Sequence, residues 1–349
     1  CAPPTGNLFP SYFINSAFPT EIKMSRVLDI IEGSQNGLSI NSIMNKINMK
    51  HSEVAKILKF LLLQNALIKV DSKYIRTLNE WKPDPDKSKK ITELRKHELK
   101  KIKDFVDTDT CYLRYVAEDL DDPYATDCEK CANCTGVNFF PITVDKQTIL
   151  EAVQFLKGDY IVIEPRKQWP SVWTGPEKGR IKKEFQVQEG RTLCLYGDAG
   201  WGAWVRDDKY INGIFRDDLV DGAVGLIKKW NLNFEWVTSI PSLRHPDLVP
   251  NFAKRVAKKL KLPYYSNIKK IKETPPQKTM ENSALQATNV YDCFSFDGTC
   301  PKGSVLLIDD FVDSRWTFTV CGAMLRKIGS GEVYPFALAS TAGGDINDD

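Results

Sequence analysis

The chain has 349 residues, 42% of them hydrophobic and 27% charged, with a formal net charge of +3. That length exceeds one ordinary hydrophobic core, so two or three domains are expected, and the composition is that of a soluble globular protein. No apolar run is long enough to span a bilayer and no secretory signal opens the chain, so no membrane partner and a cytoplasmic location are expected. The net charge by itself is too small to point to nucleic acid. Nine cysteines, four of them clustered, suit a reducing compartment better than a disulfide framework.

The chain opens at Cys1 within a Pro- and Gly-containing stretch, which reads as the C-terminal portion of something longer. Residues 1–19 read as an exit segment and 20–80 as a small helical domain. Apolar Met24, Val27, Leu28 and Ile31 predict a helix over 21–31. Ser39 is expected to start a second, short helix, and Ser52 to cap a third whose inner face carries Val54, Ile57, Leu58 and Leu61. Leu67–Val70 and Tyr74–Arg76 flank Asp71-Ser72-Lys73 as a two-stranded wing. Three helices followed by such a hairpin is the winged-helix arrangement. Residues 46–76 hold seven Lys/Arg against two Asp/Glu, and Lys50, Ser52, Lys56, Lys59 and Lys73 are the candidate DNA contacts. A solvated basic face on a protein-binding winged helix is the alternative.

A polar, Pro-containing linker is expected over 80–90 and a charged helix over 92–106. Cys111, Cys128, Cys131 and Cys134 follow, spaced C-x16-C-x2-C-x2-C. Thiolates two residues apart can reach one ion from a single tight turn, and a fourth from a preceding helix closes a tetrahedron. A helical zinc-binding module over 81–136 is therefore expected. Disulfides, buried thiols or an iron–sulfur cluster are the competing readings. The wording Cys111-Tyr-Leu-Arg-Tyr, Leu120-Asp-Asp-Pro and Cys128-Glu-Lys-Cys-Ala-Asn-Cys134 resembles the zinc subdomain of RecQ-family DNA helicases. Tyr12–Pro19 looks like the segment leaving the second motor domain of that family. The module follows the winged helix here, whereas in most members it precedes it. The resemblance implies a DNA partner and a role in repair or recombination. ATP would enter only through an upstream motor, since neither a G-x-x-x-x-G-K-[ST] loop nor a DEAH-like box occurs in the sequence.

Residues 137–224 read as a mixed or β-rich connector. Its Trp169, Trp173, Trp201 and Trp204 could stack bases or fill a small core. Beyond it, a multidomain α/β chain is expected to end in a parallel-sheet domain over 225–349. There Val305-Leu-Leu-Ile-Asp-Asp310 reads as a buried strand ending in two carboxylates, 313–317 as a loop and 318–328 as a helix. A helix opening behind such a loop turns free backbone N–H groups toward an anion. The run Val305–Thr317 resembles the 5-phosphoribosyl-1-pyrophosphate (PRPP) fingerprint of type I phosphoribosyltransferases. Ile240-Pro-Ser-Leu-Arg244, Thr274–Gln277, Asn289-Val and Phe294 look like the ComF-like branch.

The resemblance implies PRPP contacts from Asp309, Asp310, Asp313, Ser314, Arg315, Trp316 and Thr317. It places pyrophosphate at Ser242 and Arg244, and brings Mg²⁺ with PRPP. Where that family has Thr-Thr-Gly, this chain has Asp313-Ser314-Arg315. Arg315 either adds a guanidinium to the phosphate site or marks a loss of catalysis. The twin aspartates could instead be solvated acids capping a strand. No catalytic residue and no base-recognition group is apparent, and the three histidines are scattered. The leading expectation is a zinc- and winged-helix-bearing arm of a RecQ-like helicase fused to a phosphoribosyltransferase-like domain. A PRPP-responsive transcription regulator and a salvage phosphoribosyltransferase are the competitors.

Overall fold

The computed structural model describes residues 8–341 except 84, 142, 159, 174, 276–278 and 297–299. Pro276 and Gln277 of the expected ComF-like pattern, and the first seven residues, lie outside the described residues. The chain divides into two compact units. One comprises Cys1–Ile43 and Ser52–Asp145, the other Met44–His51 and Lys146–Asp349.

In the first unit α1 (Leu8–Asn15) precedes α2 (Glu21–Glu32), where Thr20 Oγ1 accepts from the Lys23 amide as an N-cap. The apolar stripe of α2, Met24, Val27, Leu28 and Ile31, is buried as its spacing predicts. After β1 (Leu38–Ser39) and α3 (Ile40–Met44) comes α4 (His51–Leu63), which buries Val54, Ile57, Leu58 and Leu61. Ser39 Oγ accepts from the Ser42 amide at the start of α3. Ser52 is no cap, because α4 begins one residue before it and Ser52 falls in the first turn. The hairpin β2 (Leu67–Val70) and β3 (Lys73–Arg76) joins β1 in a three-stranded antiparallel sheet, ordered β1-β3-β2. Gly37, at φ +67°, makes the tight approach to β3, since a Cβ there would sit 2.7 Å from the Tyr74 carbonyl oxygen.

The expected linker instead supplies the first turns of α5 (Pro85–Asp107), which starts well before residue 92. Two short helices, α6 (Tyr112–Asp119) and α7 (Ala132–Thr135), complete the unit.

The second unit is α/β. After α8 (Lys146–Gly158) come β4 (Ile161–Ile163), β5 (Gly190–Leu195) and α9 (Gly202–Asp207), which runs into one π-helical segment, Asp208–Asn212. Then follow α10 (Asp217–Lys229), β6 (Trp236–Ser239), α11 (Leu248–Leu260), β7 (Ile268–Lys270), α12 (Ser283–Tyr291) and β8 (Phe294–Phe296). The unit closes with β9 (Val305–Val312), α13 (Trp316–Lys327) and β10 (Val333–Ser340). One mixed sheet has the order β4-β5-β10-β9-β6, with the last four strands parallel and β4 antiparallel to β5.

No separate β-rich connector exists among the described residues. Its expected strands pair into this sheet, Cys194 of β5 lying opposite Ala339 of β10. Both faces of the sheet are covered, as a parallel sheet requires. Leu306 and Ile308 pack with α10 and α11 on one face, while Val305 and Leu307 pack with α12 and α13 on the other. Beyond β6, Val237 donates to the Pro263 carbonyl and accepts from Tyr265, 2.9 and 3.0 Å.

Trp169 and Trp173 belong to the core, packed edge to face at 4.5 Å. Trp201 and Trp204 are partly buried against α10's side of the sheet, with Lys157 Nζ 4.4 and 4.0 Å from their rings. No described helix is long and apolar enough to cross a membrane.

Candidate metal centre and candidate ligand cleft

The four clustered cysteines converge, their sulfurs all within 4.8 Å of one another. Cys111 is the N-cap of α6, Cys131 that of α7, and Glu129 takes a left-handed φ of 56° in the turn between Cys128 and Cys131. The Sγ of Cys131 lies 3.9 Å from that of Cys111 and 3.5 Å from that of Cys134. Four thiolates about 2.3 Å from a central zinc would stand about 3.8 Å apart. The spacing therefore fits a tetrahedral ion, and the described cysteines form no disulfide.

The electrostatics of the four thiols are split: burial and the neighbouring Cys131 and Cys111 thiols push Cys134 up to about 12, whereas two others are pulled down. The Cys128 amide donates to Cys111 Sγ at 3.2 Å and the Cys131 amide to Cys128 Sγ at 3.3 Å. Backbone donors at Arg114 and Cys128 push the Cys111 thiol down. At Cys131 desolvation works upward, but the amides of Tyr112 and Cys134 and the neighbouring thiols outweigh it and bring the thiol to about 6. Neither α6 nor α7 buries a residue. The knuckle is tied down instead by Asn133 Nδ2, which donates to the carbonyls of Thr108 and Thr110 at 2.8 and 2.7 Å. A module with so little core depends on a cross-link, and a structural zinc held by these four residues would supply one.

The second site lies where the parallel strands end. Register places Ser239 of β6 beside Ile308 of β9, and the Ile240 amide donates to the Ile308 carbonyl. The loop after β6 is thus held against the acid pair. A cleft of about 560 Å³ opens there. Asp309, Asp310, Asp313, Ser314, Arg315 and Thr317 line it, and so do Ser242 and Arg244. Thr274, Pro275, Asn289, Val290 and Phe294 contribute as well.

Trp316 does not. The helix begins at Trp316 rather than Phe318, which turns the indole inward, fully buried and donating to Ser283 Oγ at 3.0 Å. β9 also runs two residues past the acid pair, because Phe311 and Val312 pair with Ala339 and Ser340 of β10.

The 313–315 loop is braced by Arg166, which stands outside the cleft, and by Thr341, which belongs to its lining. Arg166 Nε donates to the Ser314 carbonyl at 2.8 Å while its guanidinium lies 4.3 Å from the Trp316 ring. Thr341 Oγ1 donates to Asp313 Oδ1 at 2.9 Å. Arg315 occupies the left-handed region at φ 65°, a conformation that costs a side-chain-bearing residue about 1 kcal/mol. Arg315→Gly is therefore expected to relieve about 1 kcal/mol of backbone strain, offset in part by loss of the Arg315 Nη1 hydrogen bond to the Glu164 carbonyl, as urea denaturation would read.

Burial, then the adjacent Asp310 charge, push the Asp309 carboxyl well above the usual range, against the Asp310 amide that donates to it at 2.8 Å. A raised folded value means the native state holds this proton more tightly than the unfolded chain. Its contribution to stability is complete below the ordinary carboxylate range and is lost as pH rises through the raised value. Asp309→Asn should thus raise the melting temperature at pH 7 and flatten that decline, as calorimetry across pH would record.

Lys209, from the π-helical segment, also lines the cleft, with Nζ 2.7 Å from Asp310 Oδ2. Sequence reasoning missed it, as it did Tyr196, Tyr210 and Lys270 of the same lining. Nothing in Asp208-Lys-Tyr-Ile-Asn-Gly213 marks a site. With an ammonium at Asp310, the acid pair does not fit a divalent ion.

No protein-family model matches the chain, and no curated protein matches it. Among solved structures, a crystal structure of adenine phosphoribosyltransferase is similar at 14% identity and a TM-score of 0.27, over 53% of this chain and 86% of that one. A hypothetical protein from Neisseria gonorrhoeae with bound ppGpp is similar at 14% identity and a TM-score of 0.25, over 38% and 72%. Likenesses this slight assign neither a residue role nor a substrate. The cysteine cluster is consistent with a metal-binding module.

Proposed function

We propose that the second unit binds PRPP or a nucleotide as a type I phosphoribosyltransferase-like domain. One observation carries the reading: the acid pair, the 313–315 loop with Thr317, and the Ser242–Arg244 turn line a single cleft at the carboxyl ends of adjacent parallel strands. Carboxylates there suit ribose hydroxyls, and amides at the start of α13 with the Ser314 and Thr317 hydroxyls suit a 5′-phosphate. Ser242 and Arg244 would take pyrophosphate, stabilising the departing anion if the domain turns over. Titration calorimetry with PRPP tests this. Saturable binding, weakened about tenfold or more by Asp310→Asn, is expected; no heat at millimolar PRPP removes the reading. Pyrophosphate release with a free base would make the domain a salvage enzyme.

The first unit is proposed as a DNA-binding arm of winged-helix type beside a structural zinc, as in the C-terminal region of a RecQ-like helicase acting in repair or recombination. Support comes from exposed Ser52, Lys56 and Lys59 along α4 and exposed Lys73 opening β3; Lys50, also exposed, falls in the Met44–His51 segment grouped with the second unit. Binding to forked DNA that falls steeply with salt, and falls further in Lys56→Ala/Lys59→Ala, is the expected result. Protection of one palindromic sequence would instead indicate a PRPP-responsive regulator.

A further inference from the structure

The acid pair already holds a cation. Lys209 Nζ and Asp310 Oδ2 are 2.7 Å apart, with side chains only 16% and 14% exposed. The ammonium also stands 3.9 Å from the centroid of the Phe311 ring, the next residue of β9. Its position is built rather than incidental. Lys209 sits in the π-helical segment, a widened turn of a kind that is rare and concentrates at functional sites. Asp208, 1% exposed, anchors that segment: it accepts from the Arg216 amide, Nε and Nη2 at 2.8, 2.9 and 2.7 Å, and from Asn212 Nδ2 at 2.7 Å. Gly213, at φ 70°, closes the segment by donating to the Asp208 carbonyl.

Magnesium needs near-octahedral oxygen ligands about 2.0–2.1 Å away. An ammonium in contact with one carboxylate takes up the space such an ion would fill and repels it. Lysine carries three donors, and Asp310 accepts one of them while the cleft lies open to the rest.

We propose that Lys209 is the resident cation of this cleft, standing at Asp310 where a divalent ion would stand between paired carboxylates, so that a ribose phosphate binds without metal at the acid pair. The ligand half of this rests on the ribose-phosphate reading above. The cation half does not.

The two halves are tested separately on the zinc-loaded full chain. In the first arm, MnCl₂ is titrated calorimetrically into wild type, Lys209→Met, Lys209→Arg and Lys209→Met/Asp310→Asn. Wild type and Lys209→Arg are expected to show no saturable site that depends on Asp310. Lys209→Met should gain a one-to-one site tighter by about tenfold or more, about 1.4 kcal/mol, which the added Asp310→Asn removes. A manganese site in wild type that Asp310→Asn abolishes, or no gain in a folded Lys209→Met, overturns the assignment. In the second arm, ribose 5-phosphate is titrated in metal-stripped and in Mg²⁺-containing buffer. Wild-type affinity should be the same in both, and Lys209→Met should bind only with Mg²⁺. Wild-type binding that requires Mg²⁺ overturns the proposal and leaves the ribose-phosphate reading standing. Absence of binding in both buffers overturns that reading, and the manganese arm then decides the role of Lys209 alone.

Discussion

Cys131→Ser should strip stoichiometric zinc from the chain and unfold residues 108–136, with the rest of both units intact. Zinc binding of this kind is worth about 10 kcal/mol or more at neutral pH, and where no core exists that energy is the folding energy. The expectation is strong here because no residue of α6 or α7 is fully buried, which leaves only half-buried Tyr112 and Tyr115 against Phe105 as apolar packing. Elemental analysis reads the metal, and hydrogen exchange of the Cys128–Gly136 amides reads the fold. Cys194→Ser, in a different core altogether, is the control and should keep its zinc. Acid should release the metal as well, since protons compete for the thiolates. Full zinc retention in Cys131→Ser would mean that the ligand set is wrong.

Asp208→Ala should lower the stability of the second unit by about 3 kcal/mol, or on the order of 10 °C in melting temperature for a unit of this size. The carboxylate is almost fully enclosed and its partner Arg216 is one-third exposed, so the loss falls at the lower end for a broken buried pair. Asp208→Ala/Arg216→Ala should recover part of it, because no guanidinium is then left without its acceptor. Burial alone would raise the Asp208 carboxyl, but Arg216 and Asn212 outweigh it and hold it below the usual range. A depressed folded value contributes stability above the ordinary carboxylate range that is lost as pH falls through the folded value. Wild type should therefore show an acid-side decline that the alanine variant lacks. The same variant should free Lys209 from its place beside Asp310, which the manganese titration would detect.

What the sequence made legible was local. The candidate metal ligands lie within one knuckle and at the start of one preceding helix, and ligand chemistry fixes their spacing. The acid pair and its loop lie on one strand, one turn and one helix start. What it hid was either non-local or a matter of helical phase. Lys209 meets Asp310 only because the chain between them crosses the sheet. β5 looked like part of a connector because its partner, β10, is the last strand of the chain, and parallel pairing leaves no hairpin to announce it. Trp316 was grouped with the loop on adjacency. One earlier start of α13 rotates it into the core, where it stacks against Trp169 at 5.8 Å. The stripes of α2 and α4 were readable because helical spacing alone determines which side faces inward.

The hydrogen bonds from Val237 to the 263–265 segment cover the middle of β6's outer rim, and the opposite rim is β4, three residues long and running against its neighbour. Another copy's strand would find almost no ledge on which to continue the ladder. The five-stranded sheet is accordingly poorly suited to growth by strand addition from another copy.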